Sequence, residues 1–399
     1  MENQTGFLAS KKYLYLFAVI SGVLFFLPWV SRIPFTILFA FAPLLAIEKR
    51  LAQKPGFTYL LSLFLCCFIC FFITNIGATY WLFPAAGPMA VGIWIYNAIF
   101  ISLPIILFSV VKKKSQGKYG YLALVCFWLG FEYLQNHWFL GWPWLNLGSA
   151  FMRQFFWVQW YEIVGISGGT LWIIISGIVA YQILFLRRKR WLWAIFIYLP
   201  IFYSYLFIEK DPTQSKTEKP ASISIEAVGK HFAEKHHESA FKISEPFFYC
   251  FLNDVENDNF LLNNDSEEME NILLIETSTA SNPDKFAELV DKNKSELILV
   301  EQGNMPYKIQ NAYLRLRAIE NRVNIIFKYD ANQYRLIPST GIDRYWDTDK
   351  QKSLNFYPSA TQTSFTTYQN LIGRLAAFIG IFILLITLVK NKLGKFSNK

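Results

Sequence analysis

Few side chains in this chain could do chemistry. Of five cysteines, Cys66, Cys67, Cys70 and Cys126 fall inside long apolar stretches, where a thiol packs as a small hydrophobe. Cys250 stands apart in a polar segment, within the run Phe247-Phe248-Tyr249-Cys250-Phe251-Leu252. That context favours packing, and the lack of a second cysteine nearby excludes a disulfide framework. Three of the four histidines, His231, His236 and His237, cluster beside Lys235. No Asp or Cys stands at ligand spacing near them, so neither a metal nor a cofactor is expected. Thr277 and Ser278 have no base beside them and read as turn residues. Glu132 is a carboxylate inside an apolar stretch. The run Trp142-Pro143-Trp144-Leu145-Asn146 combines indoles with a proline, which suits a segment at the level of lipid headgroups.

These residues are positioned by an uncommon layout. Apolar stretches fill residues 13–208, a polar block covers 209–371, and a last apolar stretch closes at 373–389. The chain is 53% hydrophobic and 18% aromatic, with a mean hydropathy of +0.27. This is too apolar for a soluble protein of its size and fits a polytopic helical membrane protein. A bilayer core of about 30 Å needs about 20 apolar residues per helix, and the alternation of barrel strands is not visible. Eight spans are predicted, at about 13–30, 34–48, 57–78, 89–111, 120–135, 166–186, 191–208 and 373–389. Basic clusters (Lys11 and Lys12, Lys49 to Lys54, Lys112 to Lys118, Arg187 to Arg190, Lys390 to Lys399) then all fall on one side. The positive-inside rule makes that side cytoplasmic. It also accounts for the net charge of +9 without nucleic acid. The first span carries no cleavage signal and is expected to remain as an anchor.

Three parts follow: residues 1–208 with seven spans, 209–371 as an extracytoplasmic domain, and 372–399 as the eighth span with a basic tail. Within the block, 222–228 alternates like a strand and 271–275 is a short buried strand. Residues 283–292 read as helix, 297–300 as strand, 307–321 as amphipathic helix and 323–328 as strand. Strand-helix-strand-helix-strand argues an α/β layered domain. Residues 253–270 are acidic and Asn-rich, a surface loop.

The run Gly141-Trp142-Pro143-Trp144-Leu145-Asn146-Leu147-Gly148 resembles the Gly-(Phe/Trp)-Pro-Trp-Leu-x-x-Gly loop of apolipoprotein N-acyltransferases. Arg315-Leu316-Arg317-Ala318-Ile319-Glu320 resembles the same family's Arg-x-Arg-Ala-(Ile/Leu)-Glu helix, with Gln310 where the family often has Gln-His. The resemblance, together with the layout, implies seven spans, a nitrilase-like domain and an eighth span. It implies a reaction in which a cysteine takes an acyl chain from a phospholipid and passes it to a lipoprotein's N-terminus. A Glu base and a Lys assist at the oxyanion.

Carried over residue by residue, the resemblance meets gaps. The family's Ile-Cys-Tyr-Glu run corresponds to Leu273-Leu274-Ile275-Glu276, which puts Leu274 at the nucleophile position and Glu276 at the run's last residue. Lys235-His236-His237 keeps the Lys-x-His of the family's lysine segment, so Lys235 is the remnant of that residue. The Trp-Pro-Glu-Thr run bearing the base is missing, because the chain passes from the seventh span to residues 222–228 and then to Lys235. The expected fold is a polytopic α-helical membrane protein with about 8 transmembrane helices and a truncated nitrilase-like insert. It would lie in a bacterial inner membrane with the polar block periplasmic. The expected function is that of a pseudoenzyme binding phospholipid or lipoproteins, or joining a partner protein that covers the truncated face. Trp142, Pro143, Trp144 and Asn146 would rim a lipid cavity, and Arg317 and Glu320 would be structural. The alternative is a working N-acyltransferase with a rearranged site using Cys250 and Lys235. A transporter is disfavoured, because the spans hold few charges beyond Glu132.

Overall fold

The computed structural model describes residues 11–31, 33–53, 58–138, 141–187 and 191–208, and beyond them 221–224, 261–262, 272–275, 280, 282–295, 297–301, 303, 305–330, 333–347, 353–356 and 362–397. Lys235, Glu276, Cys250, Thr277, Ser278 and the three clustered histidines lie outside the described residues.

A helix occupies each of the eight stretches read as spans. They are α1 (Lys11–Val30), α2 (Ile37–Leu51), α3 (Thr58–Ala78), then a short α4 (Leu82–Ala86), α5 (Met89–Lys114), α6 (Gly120–His137), α7 (Tyr161–Leu184), α8 (Trp191–Ile208) and, after the polar block, a C-terminal helix at Leu371–Ser397. Among the described residues, five are long and apolar enough to cross a membrane: α1, α3, α5, α7 and the C-terminal helix. The count falls short of eight for physical reasons. Helix α2 has 15 residues, about 22 Å of rise. Helix α6 carries Glu132, Gln135 and Asn136 in its last turns, all buried. Of α8, the stretch Ile197–Leu206 counts as a shorter apolar helix. Helix α7 is central, with 72% of its apolar window buried, against 28% for the C-terminal helix. Gly165, at φ 62°, bends its first turn, and a Cβ there would collide with the Phe365 ring.

The polar block adds β1 (Ala221–Ser224), β2 (Leu261–Leu262), β3 (Ile272–Ile275), α9 (Pro283–Asn293), β4 (Leu297–Glu301), α10 (Tyr307–Asn321), β5 (Asn324–Asp330), β6 (Gln333–Ile337), β7 (Arg344–Asp347), β8 (Ser353–Phe356) and α11 (Ser364–Tyr368); the C-terminal helix is α12. Six strands form one mixed sheet in the order β2-β3-β4-β5-β6-β7, while β1 pairs with β8 in a separate two-stranded ladder. Strands β3, β4 and β5 are parallel and joined by α9 and α10, as parallel neighbours require a crossover. All four of Leu297, Ile298, Leu299 and Val300 are fully buried, the continuous apolar pattern of a strand covered on both faces. Residues 253–270, read as a loop, contain the short strand β2, paired with β3.

Helix α10 joins the two layers. Leu314 and Ala318 pack with Phe286 of α9 and with Leu273, Ile298, Val300, Ile325 and Phe327 of the sheet. Ile309, Ala312, Tyr313, Leu316 and Ile319 belong instead to the core of the helical bundle. Their i, i+3, i+4, i+7 spacing forms one helical face. The helix is therefore buried on two sides. Bundle residues in contact with this layer, Trp29, Asn136, Ile166 and Asn370, all lie at helix ends opposite the basic clusters.

Candidate functional site

The polar residues of the chain converge where α10 meets the bundle. The loop after α6 reaches it first. Trp142 and Trp144 are buried, Asn146 is buried and Pro143 half-buried. The indole of Trp144 packs edge-on against Trp81, 6.3 Å away, and Tyr313, 5.5 Å away. The hydroxyl of Tyr313 donates to the Trp144 carbonyl. Thus the structure places this loop under α10, with both indoles buried. Glu132 fixes the loop's far end by accepting from the Leu147 backbone N–H (2.8 Å), the Thr170 hydroxyl (2.7 Å) and the Trp128 indole (3.1 Å). Gly148 lies against the Ile166 carbonyl, so closely that a Cβ would overlap it.

Two carboxylates anchor the seam from the other layer. Asn282 caps α9 by accepting from the Asp284 and Lys285 N–H groups, with Pro283 at the first turn, a strong helix start. This aims Asp284 at the end of α6, where its Oδ2 accepts from Asn136 (2.9 Å) and Asn370 (3.3 Å). Asn282 also donates to the Asn136 carbonyl (2.7 Å), and Asn146 donates to its side-chain oxygen (3.0 Å). His137 lies 3.9 Å from the same carboxylate. Burial raises the pKa of Asp284, against the pull of Asn136 and Asn370.

The second carboxylate is Glu320. It and Arg317 are fully buried, with Nη1 and Oε2 3.0 Å apart. Glu320 Oε1 accepts from the Ile166 backbone N–H at 2.8 Å, the N–H freed where α7 bends. Burial pushes the Glu320 carboxyl up to about 7, with Arg317 opposing, and burial lowers the pKa of Arg317. The ion contact is not an aligned hydrogen bond. None of the three guanidinium nitrogens makes one among the described residues. Such a group holds its place through surrounding charge, from Glu320 and Asp284 foremost. Outside this core, Arg322 binds Glu162 (2.6 Å) and Gln159 (3.0 Å), and Asp343 accepts from Arg315, Arg335 and Asn311.

The arrangement clamps two layers together. Among the described residues, the hydroxyls that reach a carboxylate, Thr170 on Glu132 (2.7 Å) and Ser109 on Glu48 (3.0 Å), are buried among the helices, and no group of histidine, cysteine, aspartate or glutamate is placed to hold a metal. Cys66, Cys67, Cys70 and Cys126 are free and buried within the helices. Leu274 lies in β3, in register with Leu299 of β4. Arg317 and Glu320 sit at the centre of the seam. Asp284, Asn136, Asn370 and Tyr313 were not legible as site residues. Only the Asn282-Pro283-Asp284 helix start gave a local signal.

A bundle of apolar helices capped by a mixed α/β layer is the architecture of a membrane-embedded protein. Residues 21–179 match the family described as apolipoprotein N-acyltransferase N-terminal domain. An apolipoprotein N-acyltransferase of Chlorobaculum tepidum is 24% identical over 166 residues, 41% of this chain. The match spans 28% of that relative's length. The resemblance so supported runs from α1 into α7 and includes the Trp142–Asn146 loop. It stops short of β3 and α10.

Proposed function

We propose that this chain is a membrane-embedded homologue of apolipoprotein N-acyltransferase that no longer transfers acyl groups and instead binds lipid or lipoprotein, or joins a partner protein. The observation that carries the reading is Leu274 in β3. A leucine has no lone pair to attack an ester. In this reading all eight helices cross the inner membrane. Their support is the basic clusters, which recur at alternate helix ends, together with the contacts that α1, α6, α7 and the residue before α12 make with the α/β layer at the opposite ends. That layer, residues 209–371, is a shortened nitrilase-like domain on the periplasmic side. Docking of α10 covers apolar surface that a truncated sandwich would expose. The walls beside Trp142, Pro143, Trp144 and Asn146 would then meet lipid from within the bundle.

The test is lipoprotein N-acylation by the purified protein in phospholipid micelles, alone and as Cys250→Ala. No acylation is expected in either. Robust acylation that disappears in Cys250→Ala would overturn the proposal in favour of a rearranged site.

A further inference from the structure

A groove of about 220 Å³ opens on the outside of the bundle, between the first turns of α6 and the last turns of α7. Tyr121, Leu122 and Val125 form one wall, and Ile175, Ile178, Val179 and Gln182 the other. Its lining is apolar except for the Tyr121 hydroxyl and for Gln182, which is 6% exposed and whose Oε1 has no hydrogen-bond partner among the described residues. A buried carbonyl left so is costly, and it needs a donor. From Ile175 to Gln182 the α7 wall rises about 10 Å, enough for the upper part of an acyl chain. Both walls end in positive charge. Exposed Lys118 precedes Tyr121 by less than one turn, and exposed Arg187 follows Gln182. This face of the protein also carries Lys112, Lys113 and Lys114.

We infer that the groove between α6 and α7 binds an anionic glycerophospholipid whose headgroup carries a hydroxyl, with one acyl chain along the apolar walls and the phosphate toward Lys118 and Arg187. The hydroxyl donates to Gln182 Oε1. A protein lining would give this apolar shape without the basic rim, and a free anion would need the rim without the groove. The site lies at the end of the bundle opposite Asp284 and Glu320, and it rests on the membrane reading of these helices but not on the loss of acyl transfer.

The experiment is lipid retention by the whole protein. After delipidation in mild detergent it is offered phosphatidylglycerol or phosphatidylethanolamine, and bound lipid is counted by native mass spectrometry. Phosphatidylglycerol should survive in preference. Gln182→Leu should reduce it about five-fold, the worth of one buried hydrogen bond. Arg187→Glu with Lys118→Glu should abolish the headgroup preference. Leu122→Trp, at a position 53% exposed where the fold tolerates bulk, should block the mouth. Equal retention of both lipids, unchanged in all these variants, means surrounding lipid only and overturns the inference. An acylation-active protein would sink the preceding proposal and leave this retention as it is.

Discussion

Removing the carboxylate of Glu320 should unfold the seam more than removing its cation. In Glu320→Ala the Ile166 N–H loses a charge-assisted hydrogen bond, about 2 kcal/mol. The Arg317 guanidinium is left fully buried without its paired carboxylate, with Asp284 alone opposing its charge, and it cannot deprotonate. Breaking a buried pair in this way costs about 3–5 kcal/mol in total. Arg317→Met leaves Glu320 alone, but that group already titrates at about 7 and can take a proton. Its loss should be about half as large. Replacing both, as Arg317→Met with Glu320→Leu, should regain most of the stability, because two apolar chains fill the space with no charge to desolvate. Equilibrium unfolding in mixed micelles, followed by tryptophan fluorescence, measures the four stabilities. Glu320→Ala losing under about 1 kcal/mol, or a double variant losing the sum of the singles, would refute the reasoning.

Other outcomes follow from the same seam. Glu320 and Asp284 both have folded-state pKa values raised by burial, so the folded protein holds more protons than the unfolded chain between the ordinary carboxylate range and about 7. Stability must therefore fall as pH rises through that window; hydrogen exchange of the Ile166 amide should be slower at the acid end, and Glu320→Gln should flatten the slope. Asp343 is the opposite case. Burial raises its pKa, but the hydrogen bonds and charge of Arg315, with Asn311 and Arg335, pull it below the usual value, so its contribution is lost only in stronger acid, and Asp343→Asn should remove that acid sensitivity in a thermal melt. Gly148→Ala should cost several kcal/mol through collision with the Ile166 carbonyl, within the range of overpacking and strain, and should lower Tm measurably. Tyr313→Phe should cost about 1 kcal/mol in the same melt, by deleting the bond to the Trp144 carbonyl.

The sequence carried the local part of this architecture well. The amphipathic helix expected at 307–321 is α10 with the same bounds, and the strands at 271–275, 297–300 and 323–328 differ from β3, β4 and β5 by one or two residues at their ends. Hydrophobic period decides such elements locally. The hairpin β6–β7 is not evident from the sequence, since Arg335, Arg344 and Asp347 break its apolar pattern, although Tyr334 and Trp346 pair across it as buried rings 5.6 Å apart. The tryptophan loop reads as interfacial because indoles suit that place; α10 lies over it, and no pattern in residues 141–148 announces a partner 169 residues away, the separation of Trp144 and Tyr313. The seam was hidden for the same reason. Asp284, Asn136 and Asn370 come from α9, α6 and the start of α12, and only Arg317 and Glu320, one turn apart, could be seen together in the sequence.

The bond network around Asn370 sets an order of assembly. This residue immediately precedes α12, accepts from Ser167 at 2.6 Å and donates to Asp284 at 3.3 Å. It is made after every other element of the seam. A ribosome synthesising this chain has finished helices α1 to α11 and the sheet before Asn370, the last of several ties between the layers, exists. Helix α10, with one face built for the sheet and one for the bundle, has its partners Trp29, Trp144 and Ile166 already made, while Asp284 gains Asn370 only when α12 follows. The last helix is thus a latch, and truncation before residue 370 should yield a chain that reaches the membrane but is cleared by quality-control proteases.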